Sequence, residues 1–248
     1  MIEIRDLTVQ YPGATTLAID TISLDITDGE FVAVMGANGS GKSTLARTLN
    51  GLIQPTSGSV TVDGWSTSDE ESCRSIRRHL GMVFQNPHLQ ITSPTVEREV
   101  AFGLQNIGVA SRDIRARVDV QLAISELSSL RTRPPRTLSA GEQQRLALAS
   151  VSAMQPRHLV LDEATSLLSP RSRNELLLAV SKERASRGMT VLLITQFPEE
   201  AMRAERLIIL HAGEVLMDGK PEQVFRQYAE MRGLDVPVPT RLRPEAER

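Results

Sequence analysis

The sequence predicts an α/β fold built on a mixed, mostly parallel sheet. Short, continuous apolar runs such as Phe31–Met35 are typical of strands that are buried on both faces. Two more such runs, at 158–161 and 190–195, are separated by a helical stretch at 171–186. Strand, helix and strand in succession favour parallel pairing through a right-handed crossover. Alternating apolar residues at 2–9 predict, in addition, an antiparallel β subdomain at the N-terminus.

The middle of the chain has a different pattern. Helical periods dominate between about 86 and 150, which predicts an inserted α-helical subdomain. Ser111 is expected to cap one helix, and a new helix is expected to start near Ser139, after Pro134-Pro135. After the parallel strands, a hairpin and a last helix from Pro221 to about Arg232 complete a single domain over 1–232.

The composition of the chain argues against several classes of protein. The chain has 248 residues with 28 basic and 30 acidic side chains, so its net charge of -2 argues against nucleic-acid binding by phosphate neutralisation. Cys73 is the only cysteine, which excludes an intrachain disulfide and fits a reducing compartment. No apolar run approaches the roughly 18–20 residues that span a bilayer. We therefore expect a soluble, cytosolic protein, with a tail over 233–248 that is disordered or docks on a partner.

A glycine-rich loop follows the strand at Phe31–Met35 and precedes a predicted helix. It fits the pattern G-x-x-x-x-G-K-[ST], in which glycines let successive N–H groups point at one anion and the lysine reaches the β/γ-phosphates. The serine hydroxyl can contact Mg²⁺, and the helix adds its positive N-terminal end. The residues predicted to bind a nucleotide here are Gly36, Ala37, Asn38, Gly39, Ser40, Gly41, Lys42, Ser43 and Thr44.

Two carboxylates end the strand at 158–161. Asp162 can hold Mg²⁺ through water, and Glu163 can orient or deprotonate an attacking water, since phosphoryl transfer depends mainly on positioning and electrostatics. Taken alone, the pair is better explained as an acidic loop after a strand. Its combination with the phosphate loop favours a nucleotide hydrolase.

A third motif, Leu138-Ser139-Ala140-Gly141-Glu142-Gln143-Gln144-Arg145, decides the family. By itself it is a capping box that opens a helix. With the other two motifs it resembles the LSGGQ signature of ATP-binding-cassette (ABC) ATPases, and the resemblance extends over about 2–232. It implies a P-loop NTPase core and two cassettes packed head to tail. Each ATP then lies between one chain's phosphate loop and the other chain's signature, here Ser139, Ala140, Gly141 and Glu142.

The resemblance assigns further roles. Tyr11 is similar to the aromatic residue that stacks on adenine, although an ordinary strand tyrosine is the alternative. Gln85 is similar to the Q-loop glutamine, which contacts Mg²⁺ and the attacking water and tethers the helical subdomain. Ser166 and Ser169 lie where the family has its D-loop. The implied Mg²⁺ ligands are Ser43, Gln85 and Asp162.

The sequence departs from the family at three places. Gln196 stands where the family has a switch histidine, and an amide can donate a hydrogen bond but carries no proton for transfer. Ser169 replaces the D-loop aspartate, and Ala140 and Glu142 replace Gly and Gln in the signature. Because Gln196 serves the chain's own ATP, we expect this site to turn over slowly beside a more regular partner ATPase. A heterodimer is therefore favoured, and a homodimer is the alternative. A second alternative is that Gln196 replaces the histidine without loss of activity.

The segments at 81–87 and 95–104, with Gly233-Leu234-Asp235-Val236-Pro237, resemble the ATPase subunits of energy-coupling factor transporters. This implies a peripheral protein at the cytoplasmic face of the membrane, with a second ATPase, a membrane-embedded coupling subunit and a substrate-binding membrane subunit. The cargo would be a metal ion or a vitamin. His88 departs from the acidic residue common in relatives. The docking groove is expected near the Q-loop, lined by Leu89, Ile91, Val96 and Val100 unless these form the helical core.

Other functions stay open on the sequence alone. They are the ATPase of an ordinary binding-protein-dependent ABC importer, a catalytically weak regulatory subunit, and a soluble ABC ATPase of DNA repair or ribosomes. The last class usually needs tandem cassettes, long insertions or basic arms, and this slightly acidic single cassette has none of them. Glu163 argues against a purely regulatory subunit, and Gln196 argues for one.

Overall fold

The computed structural model describes residues 1–231, 236–239 and 242. It divides into two compact units, which are Gly81–Met189 and the combination of Met1–Leu80 with the described residues from Thr190 onward. The strands in the described residues are β1 (Ile2–Val9), β2 (Ile19–Ile26), β3 (Phe31–Met35), β4 (Ser57–Val62), β5 (Trp65–Ser66), β6 (Leu80–Phe84), β7 (His158–Asp162), β8 (Thr190–Ile194), β9 (Arg206–His211) and β10 (Glu214–Gly219). The α-helices are α1 (Lys42–Leu49), α2 (Glu70–His79), α3 (Val96–Asn106), α4 (Ser111–Ile124), α5 (Ala140–Ala153), α6 (Pro170–Arg187), α7 (Pro198–Ala201) and α8 (Pro221–Glu230).

The unit that contains the N-terminus holds two groups of strands. One is an antiparallel sheet in the order β2-β1-β4-β5. In the other, β3 pairs in parallel with both β8 and β9, and β10 closes an antiparallel hairpin with β9. Every residue of β3 and β8 is buried, which explains their unbroken apolar runs.

The unit Gly81–Met189 combines strands β6 and β7 with the helices α3 to α6. β6 is an edge strand whose neighbour is β7. Helices α3, α4 and α5 share one apolar core, and each fully buried Val or Leu in it contributes about 1.5–3 kcal/mol to folding. Val96 and Val100 are both 0% exposed in this core. They cannot line a docking groove, so the prediction that they do is wrong. The alternative, that they belong to the core of the helical subdomain, is correct.

Two predictions are confirmed, one is wrong and one helix was missed. The mixed α/β fold is confirmed, and α5 starts behind a Ser139 cap as expected. Ser111 does not cap α4, because the helix begins at Ser111 itself and Ala110 occupies the N-cap position. Helix α2 was not predicted. Only Cys73 and Ile76 on it are buried, so it lacks a wide apolar stripe.

The described part of the tail is short. Val236 is 8% exposed, and its backbone N–H donates a 3.1 Å hydrogen bond to the hydroxyl of Tyr228 on α8. The expectation of disorder over 233–248, and the resemblance at Gly233, Leu234 and Asp235, fall largely outside the described residues. No helix in the described part of the chain is both long enough and apolar enough to cross a membrane.

Candidate functional site

The phosphate loop connects β3 to α1 and is built around a buried ammonium group. Lys42 is only 5% exposed, and its Nζ donates hydrogen bonds of 2.8 Å and 2.9 Å to the carbonyls of Gly36 and Ala37. Gly39 and Gly41 have φ angles of +81° and +99°, a left-handed conformation that favours glycine. A loop curled around a buried cation at a helix N-terminus is suited to bind an anion such as phosphate.

Gly36 and Gly41 are also required by packing. A Cβ at Gly36 would collide with the carbonyl oxygen of Leu210 and with Ser40 Oγ. A Cβ at Gly41 would collide with the carbonyl oxygen of Ala18. The loop is therefore fixed against β9 and the segment before β2, which keeps its backbone pre-organised.

Tyr11 lies beside the start of α1. Its hydroxyl is 3.0 Å from the hydroxyl of Thr44, and the residue is 41% exposed. Two residues predicted at the nucleotide are thus brought together. The ring is exposed to solvent, and its stacking on adenine stays a prediction.

Gln196 emerges at the same sheet edge as the phosphate loop. Val34 on β3 pairs with Ile194 on β8 in parallel register, so Gly36 and Gln196 each lie two residues beyond that pair. The side chain of Gln196 is exposed. The turn that carries it is fixed by Thr195, whose hydroxyl donates to Glu200 at 2.6 Å and accepts the N–H of Phe197 at 3.0 Å. No residue pattern indicated this buried Thr195–Glu200 pair.

In the unit Gly81–Met189, three predicted residues lie together. The amide Nε2 of Gln85 is 3.3 Å from Glu163 Oε2 and 3.2 Å from Ser166 Oγ. Asp162 ends β7 and is 3% exposed. Glu163 has a φ angle of +51°, which is uncommon for residues other than glycine. Residues with such backbone angles cluster at functional sites.

The signature residues form the start of α5. Ser139 Oγ accepts the N–H of Glu142 at 3.3 Å, and the Glu142 carboxylate accepts the Ser139 N–H at 2.7 Å and the Ser139 hydroxyl at 2.8 Å. This reciprocal capping box satisfies two N–H groups that the helix leaves unpaired. Hydrogen bonds from the backbone and side chain of Ser139 lower the pKa of Glu142 below its ordinary value. Ala140 is exposed, so its methyl group is accommodated.

A first prediction concerns Glu142 and pH. Its pKa is lower in the folded chain than in the unfolded chain, where it is about 4.3. The stabilisation of the fold by the ionised Glu142 carboxylate is therefore complete above the unfolded pKa. It is lost as the pH falls through the lower pKa of the folded chain. Because glutamine does not titrate, the melting-temperature advantage of the unchanged chain over Glu142→Gln should shrink below about pH 4. Melting temperatures of both chains, measured by thermal unfolding from pH 7 to pH 3, test this expectation.

The matched control is Glu214→Gln, at an exposed glutamate that begins β10. Its melting-temperature difference from the unchanged chain should vary less with pH than that of Glu142→Gln. A difference for Glu142→Gln that stays constant down to pH 3 would contradict the capping role of the ionised carboxylate.

Ser169 also has a visible local role. It occupies the N-cap position of α6, and its hydroxyl accepts the N–H of Ser172 at 3.3 Å. Aspartate, the usual residue of the family at this place, is an equally good cap. The replacement therefore preserves the helix start while it removes one negative charge.

A groove of about 430 Å³ lies beside the segment that follows Gln85. Part of the chain that lines the groove is held by Glu99 of α3, which is only 3% exposed. The Glu99 carboxylate accepts the N–H groups of Thr92 at 3.0 Å and Ser93 at 2.7 Å. Of the four residues predicted to line a groove, Ile91 does so, and Leu89 is 79% exposed outside it. The lining residues are His88, Ile91, Thr92, Ser93, Pro94, Pro134, Pro135, Arg136 and Gln143.

The comparison with protein families matches residues 19–166 to the ABC transporter family. The chain is 44% identical over 234 residues to the energy-coupling factor transporter ATP-binding protein EcfA of Syntrophomonas wolfei, covering 94% of this chain and 86% of that protein. It is 48% identical over 223 residues to EcfA1 of Symbiobacterium thermophilum, covering 90% and 78%. The chain belongs to the ABC transporter family, among the energy-coupling factor ATP-binding proteins.

Solved ABC structures agree with this assignment. CbiO1 from Clostridium perfringens, part of the ABC transporter complex cbiONQ, superposes with a TM-score of 0.82 at 30% identity, covering 93% of this chain and 94% of that chain. The dimeric cassette MJ0796, bound to ADP and Pi in a post-hydrolysis state, gives a TM-score of 0.82 at 30% identity, covering 89% and 99%. The predicted family, fold and ABC-type ATPase class are confirmed, and a second ATPase as partner agrees with the dimeric cassette.

Proposed function

We propose that this chain is the ATP-hydrolysing subunit of an energy-coupling factor uptake transporter for a metal ion or a vitamin. The observation that carries the hydrolytic part is the Gln85 amide, which lies within 3.3 Å of both the Glu163 carboxylate and the Ser166 hydroxyl. A carboxylate fixed by an amide can orient a water molecule for attack on a phosphate. The transport part rests on full-length relatives, such as EcfA1 of Clostridium perfringens at 41% identity over 254 residues.

The residues divide the work of hydrolysis. Lys42 and the N–H groups of the phosphate loop bind the β/γ-phosphates, and Tyr11 stacks on adenine. Glu163 takes the proton of the attacking water, which Gln85 helps to orient. Ser43, Gln85 and Asp162 would hold Mg²⁺, and their hydroxyl, amide and carboxylate oxygens are hard ligands that fit this ion. When bound, Mg²⁺ supplies charge that neutralises the phosphates.

The second proposal is a heterodimer. Gln196 lacks the proton-carrying capacity of the family's histidine. The chain's own site would therefore turn over slowly, while its signature, Ser139 to Glu142, completes a faster site on a more regular partner ATPase. Replacing the D-loop aspartate by Ser169 also makes the two halves of such a dimer different.

The third proposal concerns the membrane subunits. The groove next to the Q-loop combines apolar walls, Ile91 and Pro94 among them, with the cationic side chain of Arg136 and with His88, and none of its lining residues is acidic. It is suited to a cytoplasmic segment of the membrane-embedded coupling subunit, which would hold this chain at the cytoplasmic face. Closure of the dimer by ATP would then move the docked segment, because ATP binds the closed state better.

The experiment that tests the function is affinity purification of the tagged chain from detergent-solubilised membranes. We expect a second ABC ATPase, a coupling subunit and a small substrate-binding membrane subunit to be recovered, in a complex that hydrolyses ATP. Recovery of a permease that depends on a soluble binding protein would instead indicate an ordinary ABC importer. A complex that binds ATP without hydrolysing it would indicate a regulatory subunit.

The same purification tests the groove. Arg136→Glu reverses an exposed charge that lines it, and we expect the yield of membrane subunits to fall severalfold, because charge complementarity governs association. Arg133→Glu is the matched control, since Arg133 is an exposed arginine three residues away that does not line the groove. Equal yields from the two variants would contradict docking in the groove.

A further inference from the structure

The backbone immediately before the Q-loop glutamine is held by two other glutamines. Among the described strands, β6 is the last in its sheet and has β7 as its one neighbour, so the N–H and C=O groups on its outer side face no described strand. Gln90 occupies two of them: its Oε1 accepts the N–H of Phe84 at 3.2 Å, and its Nε2 donates to the carbonyl of Met82 at 3.0 Å. These two groups lie on one side of the strand, and one side-chain amide pairs with both as a neighbouring strand would.

The third group on this side is bound from the signature helix. Gln144 of α5 donates from Nε2 to the carbonyl of Phe84 at 3.0 Å. Gln144 is 1% exposed, and a buried amide that loses its partner is costly, so the contact is tightly maintained. Phe84 is therefore bound through both its N–H and its C=O, and the next residue is Gln85.

We propose that Gln144 is a positioning residue that couples the signature helix to the Q-loop. Gln144 lies three residues after Gly141 on α5, and the carbonyl that it binds belongs to the peptide leading into Gln85. A shift of α5 is transmitted to that peptide by one direct hydrogen bond. Gln90, in the segment that leads to the groove, restrains the two preceding peptides through the Phe84 N–H and the Met82 carbonyl, so contacts from α5 and from that segment meet at Phe84.

What this contact does in the ATPase rests on the proposed function. In that function, the signature contacts the partner's ATP and Gln85 serves the chain's own ATP. Gln144 then links the two ATP sites of the dimer within one chain, and occupancy of one site is sensed at the other. Such a coupling is reciprocal, so nucleotide at either site should affect the backbone at both ends of the link.

The test compares Gln144→Met with Gln143→Met. Methionine has the length of glutamine without its amide. Gln143 is the matched control because it is also a buried amide of α5, 4% exposed, and it also donates to a backbone carbonyl, that of Pro135 at 3.1 Å. Both variants should lose similar thermal stability. Only Gln144→Met should speed amide hydrogen exchange at Phe84–Asn86, by about tenfold, because local opening there becomes easier.

A second readout uses the assembled complex with ATP. In the unchanged complex, ATP should slow exchange both at the start of α5 and at Phe84–Asn86. With Gln144→Met, the start of α5 should still respond while Phe84–Asn86 should not. Gln143→Met serves as the control on the chain alone, because Gln143 also lines the proposed docking groove. Equal exchange at Phe84–Asn86 in the two variants would overturn the inference. If the complex hydrolyses no ATP, the proposed function fails, whereas the exchange comparison on the chain alone still decides the role of Gln144.

Discussion

Gly141→Asp should reduce ATP hydrolysis by the assembled complex on the order of 100-fold or more, the size of effect seen when an electrostatic contact aimed at developing charge is lost. Gly141 lies in the first turn of α5, and even a Cβ there would approach Ser172 Oγ to 3.3 Å. The Glu142 carboxylate is already bound by the Ser139 N–H and hydroxyl, and a second carboxylate at this helix start would repel the γ-phosphate of the partner's ATP. Because the faster site of the proposed heterodimer depends on this signature, most of the activity should disappear. Steady-state phosphate release by the purified complex measures the loss.

The matched control is Ser129→Asp, which adds the same charge at an exposed position of the same unit, outside the signature. Its rate should stay within about twofold of the unchanged complex, as for a surface substitution away from the site. A Gly141→Asp complex that keeps more than half of its activity would show that the signature of this chain serves no productive ATP site.

Local sequence patterns predicted the fold well where one signal dominated. Unbroken apolar runs identified β3, β7 and β8, because strands buried on both faces leave no polar alternation. The box Ser139-x-x-Glu142 located the start of α5 because capping is chemistry within four residues. Helix α2 escaped prediction because its stability comes from Asp69 capping and from only two buried side chains.

The candidate site was predictable only as far as motifs extend. The phosphate loop and Glu163 follow from residue types at fixed spacing. The carboxylate of Glu99, the Thr195–Glu200 pair and the amide of Gln144 act through contacts with the backbone, which no residue pattern specifies in advance. Val96 and Val100 show the same limit, since apolar residues beside a predicted groove are equally suited to the core that they in fact form.

The consequence of Gln196 can be isolated in a complex that already carries Gly141→Asp, which silences the partner's site. Adding Gln196→His should then raise ATP hydrolysis roughly tenfold over Gly141→Asp alone, because a histidine restores a group that can carry a proton. Gln196 is exposed beyond β8, and its turn is fixed by Thr195 and Glu200, so a histidine can be accommodated without backbone change. In the otherwise unchanged complex, the gain should be small, because a tenfold increase of a residual rate of about 1% adds only about 10% to the rate of the intact partner site.

A further substitution assigns the gain to this chain. Adding Glu163→Gln to the Gly141→Asp, Gln196→His complex should abolish the increase, since the restored site needs the carboxylate that the Gln85 amide holds at 3.3 Å. The same experiment separates the two assemblies. In a heterodimer the partner's intact signature still completes this chain's own site, so the gain appears. In a homodimer every signature carries Gly141→Asp, no ATP site is complete, and Gln196→His should have no effect.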